Sequence, residues 1–190
     1  MRNLINILVL FVTLTTFGQD VELFDYINVY RTKNGVGVIK WDSTLCDKSV
    51  SHVNTLNESI SGDTVRVFHS DGFSWENVVH VGGMGANIKD DNKNFNIFLS
   101  KYYDVEEYDP NTVDTTKVES YIKLYMVYSW SKSQGHNKVM LMKSHKKGGC
   151  DTSIKDVHFV DNKVTLFGVT KYTKFNPSYS SLSFGVITFE

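Results

Sequence analysis

The chain has 190 residues, of which 41% are hydrophobic and 22% charged, and its formal net charge is −1. This length predicts one domain with enough chain to bury a core. The high aromatic content, with 10 Tyr and 12 Phe against only 2 Pro, favours a packed domain over a disordered linker. Because the net charge gives no sign of a strongly basic surface, we expect no nucleic-acid partner.

The first eighteen residues have the pattern of a signal peptide. Arg2 supplies positive charge, Leu4 to Leu14 form an apolar run, and small residues precede a cleavage site between Gly18 and Gln19. A transmembrane helix needs roughly twenty apolar residues, so an uncleaved anchor is the less favoured alternative. We therefore expect residues 19–190 to form a single domain that is secreted or periplasmic, with no stable membrane span after cleavage.

Apolar spacing predicts a first helix over Val21 to Arg31, followed by a stop at which Asn34 or Gly35 takes a positive φ. The segment GVIKWD then looks extended. It leads into a second helix that begins at an N-cap, Asp42 or Ser43.

Residues 84–116 are the least patterned part of the chain. Their polar runs KDDNKN and EEYDPN flank several aromatic residues. We predict a long excursion that contains a short helix or strand and could act as a lid or a partner surface.

A third helix is predicted over Val118 to Ser131, ending at residues 133–135, so that His136 lies just beyond its terminus. The string NKVMLMK predicts one more short helical turn. From Gly148 the pattern alternates as strands do, and a hairpin is predicted around a turn at Asp161–Asn162. The string SLSFGVITFE predicts one further strand. Helices followed by an antiparallel sheet indicate an α+β domain.

The chain contains two cysteines, Cys46 and Cys150. In an oxidising compartment they could form one disulfide that closes a loop of about 100 residues, and the alternative is a pair of buried thiols. The distance between their Cα atoms decides between these states, and both stay open at this point.

Several strings occur in one order along the chain: NVYR, WDSTL, HSDGFSWENV at 69–78, WSKSQGH at 130–136, and GGC. Together they resemble the CAP superfamily of cysteine-rich secretory, antigen 5 and pathogenesis-related 1 proteins, also called SCP domains, and in particular its short bacterial branch. The resemblance covers most of the chain after the signal peptide. It implies a three-layer α-β-α sandwich with a central, mainly antiparallel sheet and a cleft on one side.

The resemblance also implies that His69, Glu76 and His136 converge in this cleft, with Asn77 bracing the loop. Two neutral imidazoles with an open coordination sphere suit Zn²⁺ or another divalent metal, so His69 and His136 are the predicted metal ligands. Glu76 would then accept a hydrogen bond from metal-bound water or orient a histidine ring.

The sequence departs from the family pattern in three places. Ser133 stands where larger eukaryotic members carry a second cleft Glu, a difference shared with the bacterial branch. Trp75 replaces the usual Gly before the Glu-Asn pair, and the 84–116 excursion is long for the bacterial branch. The remaining histidines have no partner string and are interpreted as surface or sheet-face residues: His52, His80, His145 and His158.

Three functions stay open. The favoured prediction is a binding module whose cleft holds a divalent metal or a lipid-like ligand, because the sequence carries no nucleophile elbow or phosphate loop. The second is a hydrolase, with Glu76 as general base for metal-bound water or a serine nucleophile at Ser70, Ser74 or Ser133. The third is an interaction protein that binds another protein through residues 84–116.

Overall fold

The structure is a computed structural model that describes residues 20–59, 67–71, 75–82, 89–109, 112–154, 158–160, 163–166, 169–172 and 182–190. The predicted signal peptide, Ser74 and the turn at Asp161–Asn162 lie outside these residues. Within them the helices are α1 (Val21–Lys33), α2 (Ser43–Glu58), α3 (Lys89–Tyr102), α4 (Val118–Lys132) and α5 (Gln134–Met140). None of these described helices is long and apolar enough to cross a membrane.

The described strands form two sheets. Their bounds are β1 (Lys40–Trp41), β2 (Glu76–Gly82), β3 (Lys147–Ile154), β4 (His158–Val160), β5 (Lys163–Leu166), β6 (Val169–Tyr172) and β7 (Leu182–Phe189). One sheet has the order β1-β3-β7-β2 and the other the order β4-β5-β6. Helices with a four-stranded sheet confirm the α+β class.

The four-stranded sheet is mixed, with two antiparallel strand pairs and one parallel pair. β7 pairs antiparallel with both β2 and β3, whereas β1 pairs parallel with β3. Parallel strands need a long crossover between them, and the chain between β1 and β3 contains four of the helices. The predicted hairpin is confirmed by β4 and β5, and β6 adds a third antiparallel strand.

The predicted start and stop of the first helix and the predicted start of the second helix are confirmed. The carboxylate of Asp42 accepts a hydrogen bond from the backbone N–H of Leu45 at 3.1 Å, so Asp42 is the N-cap of α2. Gly35, just beyond α1, has a φ of 71°. Glycine, which lacks a Cβ atom, adopts this left-handed conformation without a steric cost.

The chain around His136 differs from the prediction. We expected a helix to end before His136, but Ser133 is a single extended residue and α5 begins immediately after it. The backbone N–H of Asn137 donates to the Ser133 carbonyl at 2.8 Å, which closes the first turn of α5. His136 therefore lies inside the first turn of a second helix.

Helices pack on both faces of β3, as two adjacent glycines show. A Cβ on Gly148 would meet side chains of Phe24 and Ile39, on the face that contacts α1. A Cβ on Gly149 would instead lie 2.1 Å from the backbone nitrogen of Cys46 in α2. Successive strand residues point to opposite faces, so α1 and α2 lie on opposite sides of the sheet.

Part of the predicted excursion belongs to the core. Residues 89–102 form α3, a helix of 14 residues and not a short one. Phe95, Phe98 and Leu99 are buried in the main apolar cluster, and so is Tyr108 beyond the helix. This described part of the excursion thus contributes apolar surface to the core.

Candidate functional site

The buried carboxylate of Glu76, at the start of β2, is the centre of a polar cluster, and the Glu76 side chain is 2% exposed. His52 Nδ1 lies 2.8 Å from Oε1, and His69 Nδ1 lies 3.3 Å from Oε2. Ser70 donates its hydroxyl to Oε1 at 2.8 Å and its backbone N–H to Oε2 at 3.0 Å. Because an ionised carboxylate only accepts hydrogen bonds, this geometry is satisfied when both imidazoles carry their hydrogen on Nδ1.

Helix α2 brings His52 to this carboxylate because it approaches the sheet very closely at Gly149. The hydroxyl of Ser49, one turn before His52, donates to the Gly149 carbonyl at 2.8 Å and lies 3.0 Å from the hydroxyl of Thr188. Thr188 is in turn the register partner of Glu76 across the sheet. Ser49 and His52 therefore form a polar row where α2 meets the strands.

Asn77 holds the helix that carries His136, the other predicted metal ligand, against β2. Its side chain is fully buried and donates from Nδ2 to the backbone carbonyl of His136 at 3.0 Å. Glu76 and Asn77 are neighbours in β2, so their side chains leave the strand on opposite faces. Strand β2 thus contacts both parts of the site. Glu76 contacts the segment that contains His69, and Asn77 contacts the segment that contains His136.

The rings of His69 and His136 lie side by side, with centroids 6.1 Å apart and planes tilted by 50°. Burial lowers the pKa of His136 below its ordinary value, and the nearby charge of His69 lowers it further. The neutral imidazole of His136 is therefore favoured near neutral pH. Neutral imidazole is the form that can bind a metal ion or accept a hydrogen bond.

A cleft of about 350 Å³ opens beside the cluster. It lies between one side of α2 and residues 68–71 and is lined by Lys48, Ser51, His52 and Thr55 from the helix. Phe68 is 39% exposed, and its ring centroid lies 5.6 Å from that of His52. The volume falls in the range of about 300–1,000 Å³ that is common for small-molecule sites.

Ser133 does not join the cluster of predicted residues. It is half-buried at the junction of α4 and α5, and among the described residues its side chain makes no capping hydrogen bond. Trp75, which stands in place of the usual Gly, packs its ring edge against His145 at a centroid distance of 5.7 Å. The structure therefore gathers His69, Glu76, Asn77 and His136, and it leaves Ser133 at the helix junction.

The interpretation of two other histidines was wrong, since His52 and His145 are both buried. His145 stacks on Phe189 at a centroid distance of 5.0 Å. His52 contacts Glu76, and its spacing from Leu45, Val53 and Leu56 on the apolar face of α2 was a signal that could have identified it. The side chains of the other two lie outside the described part of the chain: His80 and His158.

Both cysteines lie within the described residues, and both are buried thiols, the second of the two alternatives left open by the sequence. Cys46 Sγ lies 3.4 Å from the carbonyl oxygen of Cys150, and Cys150 Sγ lies 3.1 Å from that of Asp20. Burial raises the pKa of Cys46 to about 12 and that of Cys150 well above its ordinary value. The two thiols thus contribute to the contact of α2 with β3 and lie away from the cleft.

For a divalent metal, the described part of the site offers a pair of ligands, the imidazoles of His69 and His136. Among the described residues there is no group of three or more His, Cys, Asp or Glu that could hold a metal ion. Two rings that share a Zn²⁺ at about 2.0–2.1 Å would have centroids roughly 5–6 Å apart, close to the separation of His69 and His136. With water filling the other positions, such a site would be open and would bind metal weakly.

Comparison with known proteins agrees with the order of the motifs. No curated protein matches the chain. A family model described as "CAP: Cysteine-rich secretory protein family" matches residues 24–165, a span that runs from α1 to β5 and includes His69, Glu76 and His136. Because this match covers most of the sequence, the chain belongs to the cysteine-rich secretory protein family, the CAP superfamily.

Proposed function

We propose that this protein is an exported binding module that uses the cleft beside Glu76 to hold a small ligand. The observation that carries the proposal is the convergence on one buried carboxylate of His52, His69 and Ser70. Both oxygens of this buried carboxylate have hydrogen-bond partners, and such contacts hold the partner side chains in position. The cleft is thus lined by preorganised side chains, which is what a binding site requires.

The ligand that this arrangement favours first is a divalent metal, with Zn²⁺ as the natural probe. His69 and His136 would hold it. Glu76 would orient His69 through its Nδ1 contact, as carboxylates do beside many metal-bound histidines. The lowered pKa of His136 supports the proposal because it favours the neutral ring that ligation needs. A bound metal would supply a Lewis-acidic centre between these two rings.

A lipid-like ligand is an alternative occupant of the same cleft. The exposed ring of Phe68 offers apolar surface at its mouth. The hydrolase receives less support. Ser70 donates its hydroxyl to Glu76, and within the described residues no hydrogen bond joins it to an imidazole. A serine nucleophile depends on such a contact with a base.

Two broader parts of the proposal rest on the sequence and on the family. The signal-peptide pattern of residues 1–18 supports a secreted or periplasmic location, which N-terminal sequencing of exported protein would test. The position of α1 and α2 on opposite faces of β3 supports the α-β-α sandwich that the resemblance implies.

Isothermal titration calorimetry with ZnCl₂ at about pH 7.5 tests the metal-binding proposal. We expect one site in the wild-type protein and loss of the binding heat in both His69→Ala and His136→Ala. Near pH 5 protons compete for the imidazoles, so binding should weaken. The matched control is His145→Gln, since His145 contacts Trp75 and Phe189 and lies away from the cleft rings.

Equal zinc binding in all four proteins would contradict the assignment of His69 and His136. If the wild-type protein binds no zinc, the metal proposal fails and the lipid-like alternative is tested next. Vesicles of phosphatidylcholine with a fluorescent fatty acid are the probe for that arm. Binding that is lost in Phe68→Ser would then support an apolar ligand in the cleft.

A further inference from the structure

We propose that His52 is a positioning residue of the cleft, which acts through Glu76 to fix the ring orientation and tautomer of His69. This inference rests on the proposed binding function and extends it to a histidine that the family motifs quoted above do not include. His52 and His69 come from different elements, α2 and the segment 67–71. Within the described part of the chain, hydrogen bonds join the two side chains through the two oxygens of one carboxylate.

The two carboxylate oxygens of Glu76 contact different histidines. His52 Nδ1 and the Ser70 hydroxyl both lie 2.8 Å from Oε1. Oε2 accepts from the Ser70 backbone and meets His69 Nδ1 at the longer distance of 3.3 Å. The short contacts on Oε1 therefore set the plane of the carboxylate, and this plane determines whether Oε2 can reach His69.

His69 depends on this contact more than His52 does. The side chain of His69 is 59% exposed, whereas that of His52 is 2% exposed. An exposed ring has several rotamers available unless a hydrogen bond selects one. With hydrogen on Nδ1 facing Oε2, the lone pair of His69 is on Nε2, the nitrogen left for a ligand.

Packing alone does not explain a histidine at position 52. Its Nε2 is buried, and among the described residues it has no hydrogen-bond partner. An unpaired buried nitrogen destabilises a folded protein, so an apolar residue or a shorter amide would suit a purely structural position better. The Nδ1 contact with Glu76 is the feature that this ring supplies and an apolar residue cannot.

Two substitutions separate the Nδ1 contact from the rest of the ring. His52→Asn keeps an amide nitrogen two bonds from Cβ, as Nδ1 is, and removes the unpaired Nε2. His52→Phe keeps a ring of similar shape and removes both nitrogens. His52→Gln places its amide three bonds from Cβ, at the distance of Nε2, and serves as the matched control for introducing an amide.

The first readout is the tautomer of His69, measured by two-bond ¹H–¹⁵N correlation spectra of the metal-free protein. We expect hydrogen on Nδ1 of His69 in the wild type and in His52→Asn. In His52→Phe and His52→Gln we expect a shift toward hydrogen on Nε2, which a free neutral imidazole prefers. This readout does not need a ligand, so it remains informative if zinc does not bind.

The second readout is zinc affinity by calorimetry. Loss of a residue that orients a metal ligand typically weakens binding by about 10–100-fold, and we expect this loss in His52→Phe with recovery in His52→Asn. If the wild type binds no zinc but the tautomer of His69 follows position 52 as expected, the metal proposal fails and the positioning role stands.

An unchanged His69 tautomer in folded His52→Phe would overturn the inference, and so would equal behaviour of the Asn and Phe variants. If His52→Phe does not fold, the wild-type spectrum decides. Hydrogen on Nδ1 of His52 is required for donation to Glu76, and a His52 that carries its hydrogen on Nε2 alone would overturn the proposal.

Discussion

The side-chain amide of Asn77 donates a hydrogen bond to the backbone carbonyl of His136 at 3.0 Å, although 59 residues separate them in the chain. We expect Asn77→Ala to lower the free energy of unfolding by about 1–3 kcal/mol, because it removes this hydrogen bond and empties a fully buried side-chain position. Zinc binding should weaken as well, since α5 would lose this hydrogen bond to β2. Urea unfolding and calorimetry measure the two effects.

Asn54→Ala is the matched control for this substitution. Asn54 is exposed on α2, where alanine favours the helix slightly, so stability should stay within about 0.5 kcal/mol of wild type. If Asn77→Ala behaves like this control in both measurements, the hydrogen bond to His136 does not hold the site together.

The close approach of α2 to β3 predicts a severe effect of one added methyl group. A Cβ on Gly149 would lie 2.1 Å from the backbone nitrogen of Cys46, a group that cannot rotate away. We expect Gly149→Ala to cost about 3 kcal/mol or more, or to prevent folding. Thermal unfolding monitored by circular dichroism measures this loss.

Gly37→Ala provides the comparison, because a Cβ there has nothing within 4 Å. It should leave stability unchanged or raise it by about 0.4–1 kcal/mol through reduced freedom of the unfolded chain. Similar melting temperatures for the two alanine variants would mean that α2 does not pack on β3 at this distance.

Burial raises the pKa of Asp151 to about 6, and the nearby charge of Asp20 adds to the effect. The folded state then holds a proton that the unfolded chain releases at lower pH, so Asp151 costs stability as pH rises from about 4 through 6. We expect Asp151→Asn to be more stable than wild type by about 1–3 kcal/mol at pH 7, and no more stable near pH 3.5.

Urea unfolding at both pH values measures this difference, and Asp47→Asn is the control because Asp47 is exposed on α2. The control should show no comparable gain at pH 7. A gain for Asp151→Asn that is equal at the two pH values would show that the effect does not arise from ionisation of this carboxyl group.

Phe95 tests whether the 84–116 excursion is part of the core or a separate binding surface. Phe95 is fully buried against Tyr125 and Tyr128 of α4. We expect Phe95→Ala to lower stability by about 3–5 kcal/mol, the usual cost of emptying an aromatic core position. Chemical denaturation gives the value.

Ile97→Ala is the paired substitution on the same helix, since Ile97 is 55% exposed. Its effect should stay within about 0.5 kcal/mol. Comparable small effects at both positions would support the prediction of an excursion outside the core, which a short linker could replace without loss of folding.

Local chemistry accounts for the features that could be predicted from the sequence. The Asp42 cap, the stop at Gly35 and the helix over residues 118–131 depend on neighbours within one or two turns. The spacing of apolar residues also identified the strand now seen as β7. The strings HSDGFSWENV and WSKSQGH identified the family, since their residue types and order are read without coordinates.

Long-range contacts decided the rest. The parallel pairing of β1, the state of the two cysteines and the burial of His52 each depend on distances between segments far apart in the chain. A histidine between Ser49 and Val53 is compatible with a surface or a buried position. Only the position of Glu76 across the packed face of α2 decides which. The sequence by itself thus determined the local elements and the family. The tertiary structure decided which polar side chains contact the buried carboxylate of Glu76. Hydrogen bonds require a separation of about 3 Å between donor and acceptor, and the order of residues in the chain does not encode this distance.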